Sequence, residues 1–309
     1  MKKRMNSLFG KPESICLQGT TDALGKYVFS KINNDFIKID RLDEVCVTDL
    51  GLNNEQIHNV QEKQIALKQV ALDSRGQEIV REIYMPACRI VTVRQLCEQL
   101  AAVTNNASST VEWKVKFLDR ATCLINPSSE NSREMLIPAN IGFCLGLCNL
   151  QGKPSAFSKL MMSSYNTGDT ITTSEQVAAD QTRWLSLRVA PQTDANDFAR
   201  REGIPVCRPL DENIWRYVSE NSFATLFVNG NFVTESYVGR ERVQVMDVFE
   251  YNTYRLGNWT NYAPPNVQWK RVNVSSPDDL VFEFTTERNQ PLSNVDFILH
   301  LNFRKKNVY

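Results

Sequence analysis

Only two histidines, His58 and His300, stand in the 309 residues, so Ser-His or Cys-His nucleophilic chemistry would have to recruit one of them. His300 falls on the polar side of an alternating run, where it reads as a strand residue. A His-Glu metal motif, a Gly-Ser elbow and a phosphate-cradling glycine loop are all missing from the sequence. Asp278 and Asp279 are adjacent acids, but Pro277 sets them in a turn, where solvated side chains are the ordinary outcome. Of eight cysteines, Cys144 and Cys148 form the close pair, with neither a second pair nor a nearby histidine to complete a zinc site. Cys16, Cys46, Cys88, Cys97, Cys123 and Cys207 are dispersed through apolar runs, and all eight read as reduced, unligated thiols. The expectation is a chain with no catalytic residue, no metal and no cofactor, and so not an enzyme.

What remains is surface, and the last long run supplies it. From Val295 onward, Val295, Phe297, Leu299, Leu301 and Phe303 point one way, while Asp296, His300, Asn302 and Arg304 point the other, with Ile298 as the exception. One face is core, and the four polar residues are a candidate subunit interface. On that view, replacing Arg304 should spare folding and weaken association. Upstream, Leu280 to Phe284 is a second strand, joined by the turn-forming Asn289, Gln290 and Pro291, and the two runs are expected to be antiparallel neighbours. Ala224 to Val228 and Val243 to Phe249 are further β-branched and aromatic runs, so residues 223–309 read as an all-β closing module.

Earlier in the chain, Tyr27 to Phe29, Phe36 to Ile39 and Val45 to Leu50 are short strand candidates. Residues 54–75 fit helix and strand spacing about equally and stay unassigned. Ile79 to Tyr84 is a strand ended by Pro86. Thr92 as N-cap, Gln95 at the capping-box position, and Val93, Leu96, Cys97, Leu100 and Val103 on one face predict a helix over 92–103. Val111 to Phe117 and Thr122 to Ile125 read as a hairpin with one wet face. Gly142 and Gly146 lie in an apolar patch too short to span a bilayer, so close core packing is their reading. Residues 155–182 form a polar loop, and residues 192–220 look inserted, with a short helix near Asn213 to Val218.

The composition sets the outer bounds. With 35 basic and 35 acidic residues, no global field exists to hold a nucleic acid. Lys2, Lys3 and Arg4 open a basic arm over residues 1–12, but no apolar signal core follows and no run approaches the ~20 residues of a membrane span. Synthesis in the cytoplasm, without a signal peptide or membrane span, is expected, and the sequons at Asn106, Asn258 and Asn273 are then chance. The domain plan is a flexible arm at 1–12, a sandwich from 13–85 with 223–309, and an α/β and loop insertion at 86–222. The fold class is mainly β, with the two ends of the chain sharing a sheet.

The order of these pieces resembles a known family. The resemblance is carried by Tyr27-Val28-Phe29, Asp43 to Leu50, Thr92-Val93-Arg94-Gln95-Leu96, Asn140 to Leu147, Leu226-Phe227-Val228, Tyr237-Val238-Gly239 and Leu299 to Lys305. Together they resemble the jelly-roll capsid proteins of Maverick/Polinton elements, adintoviruses and virophages, most of all the minor, penton-type protein. The resemblance implies a jelly-roll β-sandwich with a small α/β insertion and a structural role at the virion vertex. It implies partners too: copies of itself in a pentamer, a major capsid protein, and packaged DNA reached by the basic arm. Two alternatives stand beside it, one jelly roll of a major capsid-type protein, and a non-viral β-sandwich module binding carbohydrate or protein. Trp259, Tyr262 and Trp269 would be the signature of such a module, although filling or closing the sandwich is the plainer role for them.

Overall fold

The computed structural model describes residues 13–30, 43–106, 113–117, 123–127, 132–154, 170–173, 183–188, 204–234, 236–238, 241–253, 258–273 and 279–305. The basic arm and the strand expected at Phe36 to Ile39 lie outside them, as does most of the polar stretch 155–182. By their contacts the residues form two units, one of residues 1–57 with 223–309 and one of residues 58–222.

The first unit opens with β1 (Glu13–Thr20), β2 (Lys26–Ser30) and β3 (Glu44–Asn53), followed by a 3-10 turn at Asn54–Gln56. The second unit holds β4 (Gln64–Leu72), β5 (Glu78–Met85), α1 (Val93–Asn106), β6 (Trp113–Phe117), β7 (Cys123–Pro127) and β8 (Ser132–Pro138). It continues with α2 (Ala139–Cys144), β9 (Thr170–Thr173), β10 (Trp184–Arg188), β11 (Ile204–Pro205) and α3 (Trp215–Val218). The first unit resumes with β12 (Thr225–Gly230), β13 (Ser236–Val238), β14 (Glu241–Val243) and β15 (Val245–Glu250). It ends with β16 (Trp259–Tyr262), β17 (Lys270–Arg271), β18 (Asp279–Thr286) and β19 (Asp296–Arg304).

The first unit is a rolled hairpin. Its long strands pair outermost with outermost and so inward: β1 with β19, β2 with β18, β3 with β16, and β12 with β15, all antiparallel. Rolling adds the pairs β19 with β3 and β18 with β12, which gives two sheets in the orders β1-β19-β3-β16 and β15-β12-β18-β2. That order is a jelly roll. The expected sharing of a sheet by the two ends of the chain is thus realised in β1, β3, β16 and β19. Two extra pieces sit beside this pattern: β17 extends the β16 edge of β3, and β13 and β14 form a separate hairpin.

One pairing differs from expectation. β18 and β19 are consecutive but belong to different sheets, so they face each other across the core instead of sharing hydrogen bonds. The alternation in both strands shows why: each has its own apolar face, and two such faces bury more by stacking than by lying side by side. Phe284 of β18 meets Phe297 of β19 with centroids 4.8 Å apart, and Tyr27 of β2 meets the same ring edge-on at 5.0 Å. Val295, Phe297, Leu299, Leu301 and Phe303 are all buried. The tight turn from β1 into β2 depends on Asp22, whose Oδ1 accepts from the Leu24 and Lys26 amides at 2.8 Å each. Gly25 closes it at φ +72°, where a Cβ would stand 2.9 Å from the Phe284 carbonyl oxygen.

A charge lies inside this sandwich. Asp247 is buried; its Oδ1 accepts from the Val248 amide at 2.8 Å, and its Oδ2 has no hydrogen-bond partner among the described residues. Burial pushes its carboxyl above the ordinary range, against the opposing pull of the Val248 amide and Lys270. A carboxyl raised on folding costs nothing below its unfolded pKa, where both states are protonated. The cost grows as pH rises to the folded value and is constant beyond. Asp247→Asn should therefore be more stable than the parent at about pH 7 and converge with it near pH ~3. Thermal melts across that range check it, and an equal gap at both ends would contradict it.

The second unit has its own core. Its boundary falls between Ile57 and His58, earlier than the expected break after Met85, because β4 and β5 join the sheet β5-β4-β8-β10-β9 of residues 58–222. The stretch 54–75 that sequence periodicity leaves open begins with the 3-10 turn and contains a strand: β4 pairs with β5 through a turn in which the Asp73 carboxylate accepts from the Arg75 and Gln77 amides. The α1 start shows both halves of the capping box, with Thr92 Oγ1 accepting from the Gln95 amide at 3.3 Å and Gln95 Oε1 accepting from the Thr92 amide at 3.1 Å. Val93, Leu96, Cys97 and Leu100 are then buried in one apolar cluster that also holds Met135, Ile137, Leu185 and Leu187. Gly142 is held by close packing, since a Cβ there would meet Cys148 Sγ at 2.9 Å. β6 and β7 pair as the expected hairpin, with β11 beside them.

Candidate functional site

In an antiparallel sheet with one buried face, the other face carries the alternate residues of every strand, and cross-strand neighbours meet at short range. Along β19 this places Asp296, His300, Asn302 and Arg304 on the outer face of β1-β19-β3-β16, all half-buried. The structure brings the four together as a single row and supplies each with a neighbour from β1, β3 or the nearby loops.

Asp296 accepts from Thr20 Oγ1 at 2.6 Å and from Gln56 Nε2 at 2.9 Å, while its amide donates to Gln56 Oε1 at 2.7 Å. Those donors, Thr20 first, then Gln56 and Asn53, hold its carboxyl below the ordinary range. His300 Nε2 lies 3.7 Å from Cys16 Sγ, and Asn302 Oδ1 accepts from Ser14 Oγ at 2.7 Å. Arg304 donates from Nε to Glu44 Oε2 at 2.8 Å and from Nη2 to the same oxygen, with its guanidinium 4.1 Å from the Trp269 ring centroid. Arg304 is therefore engaged within its own unit.

The same face has a small apolar centre. Gly51 of β3 lies opposite Ile298 of β19 and Asn261 of β16. A Cβ at Gly51 would stand 3.6 Å from Ile298 Cβ, 3.7 Å from the Trp259 ring and 3.0 Å from Asn261 Oδ1. The glycine leaves a shallow floor between two apolar side chains, and Trp259 is 41% exposed above it. Trp259 and Ile298 thus make a small apolar patch rimmed by polar groups. Of the other two aromatics, Tyr262 is buried and stacks with Tyr251 at 6.2 Å, and Trp269 underlies Arg304.

The other chemistry-bearing residues do not converge. His58 is exposed in the second unit, and Asp279 is exposed at the start of β18. Asp278 lies outside the described residues. Cys144 and Cys148 are buried, with their thiols pushed up to about 12 chiefly by burial, and Cys148 Sγ donates to the Ala139 carbonyl at 3.5 Å. Seven described cysteines carry free thiols. Among the described residues no group of three or more His, Cys, Asp and Glu could hold a metal ion, and no helix is long and apolar enough to cross a membrane.

Sequence reasoning placed the four polar residues and missed their neighbours on β1. The signal was present: Ile15 and Leu17 alternate with Ser14, Cys16, Gln18 and Thr20. Two apolar residues and a glycine make a weaker pattern than β19, and the sheet was expected to start at Tyr27.

No family model matches this chain, and no curated protein matches it. Among solved structures, the chain is similar to the crystal structure of the mavirus penton protein at 10% sequence identity and a TM-score of 0.38, with 94% of this chain and 99% of that chain covered.

Proposed function

We propose that this chain is a structural capsid protein of the penton type, the vertex subunit of a Maverick/Polinton-like virus shell. The observation that carries the reading is the jelly-roll strand order of residues 13–57 and 223–305, an architecture used by capsid proteins. The family resemblance, most of all to its minor, penton-type protein, supports that type within it. Five copies close a ring, a major capsid protein surrounds it, and the arm bearing Lys2, Lys3 and Arg4 reaches a neighbour or packaged DNA. Balanced charge, 35 against 35, lets subunits pack without mutual repulsion. The role requires no catalytic group and no cofactor, and its place is the virion.

On this reading the outer face of β1-β19-β3-β16 meets a second copy of the chain. Trp259 and Ile298 are its centre, and Asp296, His300, Asn302 and Arg304 are its polar rim. Trp259→Ser should leave the melting temperature close to that of the parent and weaken self-association at least ~10-fold. Sedimentation velocity over a concentration series reads this, and unchanged association would move the interface elsewhere. The exposure of Trp259 also favours a second reading, a sandwich module binding carbohydrate or protein. A chain that stays monomeric yet binds glycans through Trp259 would establish that one instead.

A further inference from the structure

Cys16, His300 and Asp49 form one cross-strand row on the outer sheet face. In register, Cys16 of β1 is opposite His300 of β19, and His300 is opposite Asp49 of β3. Cys16 is exposed, and its Sγ lies 3.7 Å from His300 Nε2, within reach for proton transfer. A bulge between His300 and Leu301 leaves Thr48 as the extra residue on β3, and Thr48 Oγ1 donates to the His300 carbonyl at 3.3 Å, fixing the backbone there. Asp49 is opposite His300 in register, but its Oδ1 is buried and has no hydrogen-bond partner among the described residues, so that oxygen accepts nothing from the ring. An exposed nucleophile with a base in contact with it is the arrangement that activates a thiol.

The other described cysteines offer a contrast. Cys46, Cys97, Cys144 and Cys148 are buried, and Cys88 and Cys207 are half-buried. None of these six is exposed. The charged groups nearest the row are already engaged: Asp296 with Thr20 and Gln56, and Arg304 with Glu44. Glu13, at the far end of β1, is opposite Phe303, three positions beyond His300.

We infer that Cys16 is a thiol–disulfide exchange site, with His300 as its base, and that its co-reactant is a low-molecular-weight disulfide of the glutathione class. The step balances. His300 Nε2 takes the Sγ proton, the Cys16 thiolate attacks one sulfur of the disulfide, and the S–S bond breaks as the new one forms. Cys16 is oxidised to a mixed disulfide, and the departing thiolate is reduced and takes the proton from His300. The reactivity is a property of the free single chain, although His300 also stands in the polar rim of the proposed assembly face.

The test treats the folded full-length chain with oxidised glutathione across about pH 5 to 9 and follows adducts by intact mass and peptide mapping. Cys16 should be modified first, ahead of Cys88 and Cys207. His300→Gln should slow it by about 10-fold and remove the limb of the pH–rate profile that falls with imidazole protonation. A melt within ~1 °C of the parent for this variant shows that the fold is kept. Modification of Cys16 at the same rate in parent and His300→Gln, or preferential reaction at Cys88 or Cys207, would overturn the inference. Sedimentation of the adduct separates the two readings: loss of association would place Cys16 in the interface, whereas unchanged association leaves the exchange chemistry intact and counts only against that interface.

Discussion

Phe297→Ala should lower the stability of the folded chain by ~3–5 kcal/mol, the range for truncating a fully buried phenylalanine. Phe297 has no exposed surface, and its ring is the point where the two sheets meet, held by Phe284 from one strand of the opposite sheet and Tyr27 from another. Alanine would remove both aromatic contacts and leave a cavity that β19 cannot close, because β1 and β3 pin its backbone on either side. Domain stabilities of ~5–15 kcal/mol make such a loss large enough to leave part of the protein unfolded at physiological temperature. Urea denaturation followed by tryptophan fluorescence measures it. A loss under ~1 kcal/mol would mean that the sheets do not pack through this residue.

Arg304→Glu should cost ~2–4 kcal/mol of stability. Read from the alternation alone, Arg304 is a solvent-facing residue free to meet a neighbour, and its replacement should spare folding. In the structure its guanidinium lies between Glu44, whose side chain is 16% exposed, and the face of Trp269. A glutamate there would lose the stacking and set two carboxylates together where little water screens them. Arg304→Lys should cost less, ~1 kcal/mol, because the charge remains while the planar fork and the stacking are lost. Equal melts for the glutamate variant and the parent would show that the pair contributes nothing.

The contrast between these two residues shows what a linear sequence conveys. The burial of Phe297 follows from a period of two over nine residues, a local property that any strand with one wet face displays. The occupation of Arg304 depends on Glu44, 260 positions away in the chain, which only the pairing of β19 with β3 brings near. The same holds for Cys16 and Gln56 beside His300 and Asp296. The α1 cap was legible because both of its partners lie within four residues. The pairing of β18 was not, since a short connection between two strands is compatible with a hairpin or a crossing, and only the opposing apolar faces decide. The unassigned stretch before Asp73 shows a further limit: β4 is buried on both faces in places, with Ala66, Leu67, Val70 and Ala71 all covered, and so lacks the clean alternation of a half-buried strand.

Negative-stain electron microscopy of the purified full-length chain, near neutral pH and at moderate salt, tests the vertex role most directly. Closed rings with five-fold symmetry are the predicted result, and Trp259→Ser should reduce them to single particles. A parent chain that remains monomeric at every concentration, or that forms only two-fold dimers, would contradict the vertex role.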